Sequence, residues 1–229
     1  MSAFQEQFDS SLKRLRENPP AGFKVENSGM YREDGGHATG SYVLECVFAA
    51  QMLHESRAKK MLDIGSYRLF TIGLCANADT DVTLLEIRDV PDELAGSESR
   101  IIGDAKDVEL PENYFDAVVS LCALEHFGLG KYGEDFDIDA DTKAIKNIKR
   151  CLKPGGSFIF TCPVGDRATI WFNAHRVYSL GMLRGGMSQG FEIEKERFIN
   201  IGDNPHFFEP VNGLVGDINW YCGAWRKSA

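Results

Sequence analysis

Apolar residues recur every three or four positions from Phe4 to Leu15 (Phe4, Phe8, Leu12, Leu15), the period of a helix with one face on a core. Asn18-Pro19-Pro20 stops that helix, because proline removes a backbone donor and clashes with the preceding turn. Gly29–Gly40, with Gly35-Gly36-His37 among polar residues, reads as a loop. A second helix is expected over Ser41–Arg57, with Val43, Val47, Ala50 and Leu53 or His54 along its buried side. Then the period changes. Met61–Gly65, Val82–Ile87, Arg100–Gly103, Phe115–Cys122 and Ser157–Cys162 are short apolar runs that read as buried strands. Helical stretches fall at Leu69–Ala76 and Thr142–Leu152, the second closed by Lys153-Pro154-Gly155-Gly156, and Pro163 is expected to end the fifth strand. Phe191–Ile201 and Asp217–Trp225 read as two late strands with no long helix between them.

Continuous apolar strands alternating with helices predict an α/β fold: a Rossmann-like, doubly wound, mostly parallel seven-stranded sheet. The late strands predict an antiparallel edge strand. Residues 1–60 are read as an N-terminal helical extension and lid, and residues 61–229 as the sheet domain. A chain of 229 residues with 43% hydrophobic and 26% charged residues can bury a core without disulfides. Its net charge of −9 argues against nucleic acid as a partner, since phosphate binding calls for a basic face. The six cysteines show no CxxC pair and read as reduced core residues. No apolar run is long enough to span a bilayer and the N-terminus lacks a signal-peptide pattern, so no membrane and a cytoplasmic location are expected.

In open α/β sheets a ligand sits outside the carboxyl ends of the strands, which selects Asp63–Tyr67, Glu86–Arg88, Asp104–Asp107 and Leu121–His126. The first of these has Gly65-Ser66-Tyr67-Arg68-Leu69-Phe70 where a dinucleotide site needs G-x-G-x-x-G, which weighs against NAD or FAD. Glu86 ends its strand with a carboxylate suited to two ribose hydroxyls. Asp104 and the Ala105 N–H suit the amino group and ring nitrogen of adenine, or else a simple turn.

KKMLDIGS, TLLEIR, IIGDAKDVELPENYFDAVVSLCALEHF and LKPGGSFIFTCPVG, taken in order, resemble the successive motifs of class I S-adenosylmethionine-dependent methyltransferases. The resemblance covers about Met61–Val164 and departs at the first motif, where the family commonly has G-x-G-x-G. GGH at 35–37, LEHFGLGKYGE at 124–134 and FNAHRVYS at 172–179 are similar to a methyltransferase-like group, some of whose relatives are associated with glycan modification. The resemblance implies S-adenosyl-L-methionine as cofactor, with Asp63, Gly65 and Ser66 at its methionine end. It further implies Glu86 and Ile87 at the ribose, Asp104 and Ala105 at the adenine, and the backbone of Leu121 and Cys122 at the methionine amino group.

Methylating an alcohol requires removing its proton, which calls for a positioned base. His126 is the first candidate, with Glu125 beside it to orient the site, and His175-Arg176 as a second base or anion anchor. His37 is a candidate for a lid. Asp135, Asp137, Asp139 and Asp141 alternate as in a calcium loop, but Ala140 and Lys146 stand where glycine and glutamate belong, so no metal is expected. Trp171 is a candidate for the acceptor pocket. The expected activity is O-methylation of a small-molecule or glycan-like acceptor. A cofactor-binding module without methyl transfer, and a dinucleotide or nucleotide-sugar enzyme, are the alternatives.

Overall fold

In the computed structural model the strands order themselves by how completely each apolar run is covered. The structure describes residues 3–21, 24–27, 40–76, 79–89, 91, 96–202, 204–210, 213–214 and 216–228. The loop containing Gly35, Gly36 and His37, and with it the expected lid, lies outside them. Strands β1 (Lys60–Ile64), β2 (Asp81–Glu86), β3 (Ser99–Ile102), β4 (Phe115–Leu121) and β5 (Leu152–Gly165) pair in parallel in the order β3-β2-β1-β4-β5. β4 and β5, buried on both faces, lie in the middle. The sheet continues as β5-β10-β8-β9, where β10 (Asn219–Lys227) is antiparallel to both β5 and β8 (Phe191–Asn200), and short β9 (Phe207–Phe208) ends the path. The fold is therefore an α/β fold with a large, mostly parallel sheet. A β6 (Thr169–Trp171) and β7 (His175–Ser179) hairpin, absent from the sequence reading, joins the end of β5.

Helices cover both faces. On one face, α2 (Ser41–Ser56) and α3 (Arg68–Cys75) pack Phe48, Met52, Phe70 and Leu74 against Val82, Val119 and Ile159. On the other, Ala144, Ile145 and Ile148 of α4 (Ala140–Cys151) pack with Leu62, Val118, Phe158 and Trp225. The expected buried side of α2 is corrected: Glu45, Phe48, Ala49 and Met52 face inward, while Val47 is 42% exposed. The helix is apolar nearly all round, so its own period does not choose a face, and the sheet chooses the one with the largest side chains. This helix belongs to a compact unit of residues 39–229, whereas α1 (Ala3–Glu17) lies in a separate unit of residues 1–38.

Two further differences lie in β5. Lys153-Pro154-Gly155-Gly156 does not close a helix before the strand but loops out within it, since Phe115 pairs with Leu152 and Ala117 with Ser157. Pro163 does not stop the strand either. β5 last pairs β4 at Thr161 and first pairs β7 at Val164, so the missing N–H falls in the gap between two neighbours. All six cysteines are free, three of them buried. No described helix is long and apolar enough to cross a membrane.

Candidate active site

The carboxyl ends of β1, β2, β3 and β4 open into one cleft, lined among others by Gly65, Glu86, Ile87, Asp104, Ala105 and Cys122. A wider mouth shares Gly65, Glu86, Cys122 and His126 and adds Tyr42, Ser66, Leu121 and Lys131. Gly65 leaves β1 with φ +65, and a Cβ there would stand 3.2 Å from the Cβ of Ala123, so the turn presents bare backbone. The Ser66 Oγ accepts from the Leu121 N–H at 3.0 Å, tying the β1 turn to the end of β4. Asp63 lies beneath the turn, wholly buried, and accepts from the Ser66 N–H at 3.2 Å. It braces the turn instead of lining the cleft.

Glu86 accepts from the guanidinium of Arg88 at 2.9 Å and from the Arg88 N–H at 3.3 Å. The same guanidinium sits 4.5 Å from the ring centre of Tyr132. Asp104 pairs with Lys106 and accepts from its N–H at 3.0 Å, which turns the chain after β3. Cys122 holds φ +52, and its N–H donates to the Oγ1 of Thr161 at 3.0 Å.

Sequence reasoning missed what lies below Cys122. Glu45, wholly buried on α2, accepts from the Cys122 Sγ at 2.6 Å and from the Thr161 hydroxyl. Its only signal was an acid set among apolar residues of the helix. Burial pushes Glu45 up to about 7, Asp63 to about 6 and Glu125 to about 8. One oxygen of each (Glu45 Oε1, Asp63 Oδ2, Glu125 Oε2) has no hydrogen-bond partner among the described residues. Lys131, Tyr132 and Glu134 were not singled out, because they lie in a loop beyond the strand end.

His126 follows β4 in a 3₁₀ turn, Leu124–His126, and lines the cleft. Its Nδ1 lies 2.6 Å from the carbonyl oxygen of Ala174, so Nδ1 carries the proton and Nε2 keeps a lone pair. Burial lowers His126 to about 4 and leaves it neutral at pH 7. Glu125, 1% exposed, does not line the cleft, although its Oε1 is 3.8 Å from the His126 Nε2. His175 stands outside the cleft lining, its ring 6.4 Å from that of His126.

The expected role of Arg176 as an anion anchor is corrected. Its buried guanidinium donates to the carbonyls of Phe127 at 2.6 Å and Ile138 at 3.0 Å and lies 3.5 Å from Asp141. Asn173 donates to the carbonyl of Leu129 at 3.2 Å, and the Tyr178 hydroxyl to Asp141 at 2.9 Å. The segments 124–141 and 173–178 are thus interlocked. Asp137 pairs with Lys143 at 2.6 Å, and among the described residues no three His, Cys, Asp or Glu side chains gather as a metal site. Gly128, at φ +69, has no room for a side chain: a Cβ would lie 2.2 Å from the Asp137 carbonyl oxygen. Gly128→Ala is expected to cost about 3 kcal/mol, measurable by urea unfolding.

The buried carboxyls also set a pH dependence. A carboxyl raised by folding binds more protons folded than unfolded, so stability falls as pH rises from its unfolded pKa to its folded one. His126, lowered from 6.5 to about 4, acts oppositely: stability rises with pH across that interval. Above 6.5 the carboxyls at about 7 and 8 still titrate. The urea midpoint is therefore expected to fall between pH 6.5 and 8, by up to about 1.4 kcal/mol per pH unit for each proton. Glu45→Gln should flatten the slope. A midpoint independent of pH across this window contradicts the burial of protonated acids.

Among solved structures, three similar ones are the (4+2)-cyclase SpnF, the N-methyltransferase NodS from Bradyrhizobium japonicum WM9 in complex with S-adenosylhomocysteine, and a Burkholderia thailandensis 1,6-didemethyltoxoflavin-N1-methyltransferase. SpnF is 17% identical with a TM-score of 0.62, covering 100% of this chain and 97% of its own. NodS is 16% identical with a TM-score of 0.58, covering 96% and 98%. The Burkholderia enzyme, with bound 1,6-didemethyltoxoflavin and S-adenosylhomocysteine, is 14% identical with a TM-score of 0.61, covering 100% and 92%. Strand order and cleft place the chain in the class of proteins with the S-adenosylmethionine-dependent methyltransferase fold. No curated protein matches it. Residues 84–198, half of the chain, match the family described as Caenorhabditis protein of unknown function, DUF268, and the chain belongs to that family.

Proposed function

We propose that this chain is an S-adenosylmethionine-dependent methyltransferase acting on the oxygen of a small-molecule or sugar-like acceptor in the cytoplasm. The observation that carries the reading is the convergence of four strand ends on one cleft, with a carboxylate at β2, bare backbone at β1 and a small residue after β3. The residues fit the cofactor. Gly65 leaves backbone exposed where a side chain would intrude. Glu86 and Ile87 would hold the ribose, Asp104 and Ala105 the adenine, and Gly65, Ser66, Leu121 and Cys122 the methionine end.

S-adenosylmethionine supplies an electrophilic methyl group, so the chain has to position an acceptor and exclude water. The Ala174 carbonyl fixes the His126 tautomer, and Nε2 takes the proton of the acceptor hydroxyl. Glu125, buried beside it, and His175, beyond its ring, orient the imidazole. A second reading, cofactor binding without methyl transfer, is favoured by one observation: Glu125 stays out of the cleft, leaving a single histidine as base.

Calorimetric titration with S-adenosylmethionine, S-adenosylhomocysteine and NAD tests the cofactor assignment. Binding of both sulfur compounds with NAD silent is expected; binding of NAD alone sinks the proposal. Turnover of hydroxylated acceptors, lost in His126→Gln with cofactor binding retained, separates the two readings.

A further inference from the structure

Beyond the residues that line the cleft, the loop after β4 and the β6–β7 hairpin carry aromatic surface that neither cofactor binding nor the core uses. Phe136 is 60% exposed, Trp171 56% and Phe172 74%, and the rings of Phe136 and Phe172 are 5.9 Å apart. From the cleft outward, the His126 ring meets His175 at 6.4 Å, and His175 stacks on Trp171 at 6.5 Å. A series of rings thus runs from the proposed base to the tip of the β6–β7 hairpin. The hairpin is held in place. Asn173 and Arg176 bind the carbonyls of Leu129, Phe127 and Ile138, and the Ala174 carbonyl receives the His126 Nδ1–H. Exposed apolar surface beside a cleft and on a fixed support is characteristic of a ligand surface.

One cation accompanies these rings. The Lys131 ammonium lies 3.3 and 3.4 Å from the two ring nitrogens of His126 and pairs with no carboxylate among the described residues. The acids around it are engaged. Glu134 accepts the N–H groups of Gly130 and Tyr132, Asp137 pairs with Lys143, and Glu125 is buried. A net charge of −9 disfavours an anionic bilayer as the occupant of this aromatic surface.

We propose that the acceptor is a planar aromatic compound bearing a carboxylate, its ring against Trp171, Phe172 and Phe136 and its carboxylate against Lys131. This rests on the methyltransferase reading of the same cleft. Stacking on the aromatic surface and charge pairing at Lys131 are separate contributions, so each has its own variant.

The test titrates 4-hydroxybenzoate, 2-naphthoate and indole-3-acetate calorimetrically into the full chain, alone and with S-adenosylhomocysteine. Cyclohexanecarboxylate and 4-hydroxybenzamide serve as non-aromatic and uncharged controls. At least one aromatic acid is expected to bind with a millimolar or lower dissociation constant, about tenfold tighter than the controls. Trp171→Ala should weaken it about tenfold with S-adenosylhomocysteine affinity unchanged, and Lys131→Met should erase the preference for acid over amide. No binding by any aromatic acid overturns the proposal, as does equal binding of the controls or an unaffected Trp171→Ala. If aromatic acids bind wild type while S-adenosylhomocysteine does not, the acceptor surface stands and the cofactor reading falls.

Discussion

Arg176→Met is expected to destabilise residues 39–229 by about 3–5 kcal/mol and to abolish acceptor turnover. The guanidinium is buried and serves the carbonyls of Phe127 and Ile138 and the carboxylate of Asp141 at once. Methionine fills much of the same volume but leaves two carbonyls without their donor and Asp141 without its charge partner, though still hydrogen-bonded by Tyr178, and breaking a buried ion pair on one side costs in that range. The loss falls on the 127–138 loop, which carries Gly128, Lys131 and Tyr132 into the cleft. Urea unfolding measures the stability. Arg176→Lys should recover only part of it, because an ammonium cannot present two planar forks. A midpoint within about 0.5 kcal/mol of wild type contradicts the interlock, since that is the scatter of an ordinary surface substitution.

Glu86→Ala is expected to weaken S-adenosylhomocysteine binding about 30–100-fold. Hydrogen bonds to a charged group are worth about 1.5–3 kcal/mol, and a carboxylate at the end of β2 can accept from two adjacent hydroxyls. The Arg88 guanidinium already occupies one of its oxygens at 2.9 Å, so ribose binding must displace or share it. Arg88→Ala is therefore the informative companion: it frees Glu86 and is expected to leave affinity equal or higher. Calorimetry on both variants decides the matter, and an affinity within twofold of wild type in Glu86→Ala would remove Glu86 from the cofactor site.

Cleft-lining residues were legible where strand ends are legible. Gly65, Glu86, Asp104 and Cys122 each follow an apolar run directly, and in a parallel sheet all such ends meet on one side. The histidines were only half legible. His126 lines the cleft as expected, but its tautomer depends on a carbonyl 48 residues away, which no local pattern reveals. Arg176 was misread for a related reason: a basic residue after a strand suggests an anion site, whereas here it satisfies backbone carbonyls of another segment. Glu45 was passed over because an acid in a helix is ordinarily solvated, and only packing against Cys122 and Thr161 shows it buried.

Hydrophobic periodicity by itself determined the five parallel strands, the α/β class and the strand ends that form the cleft, because burial on two faces demands continuous apolar runs and long crossovers between them allow parallel pairing. Tertiary structure alone decided which face of α2 turns inward, the continuation of β5 through Pro163 and the fastening of 124–141 to 173–178. These depend on contacts between residues far apart in the chain, where geometry in space and not spacing in sequence brings donors to acceptors.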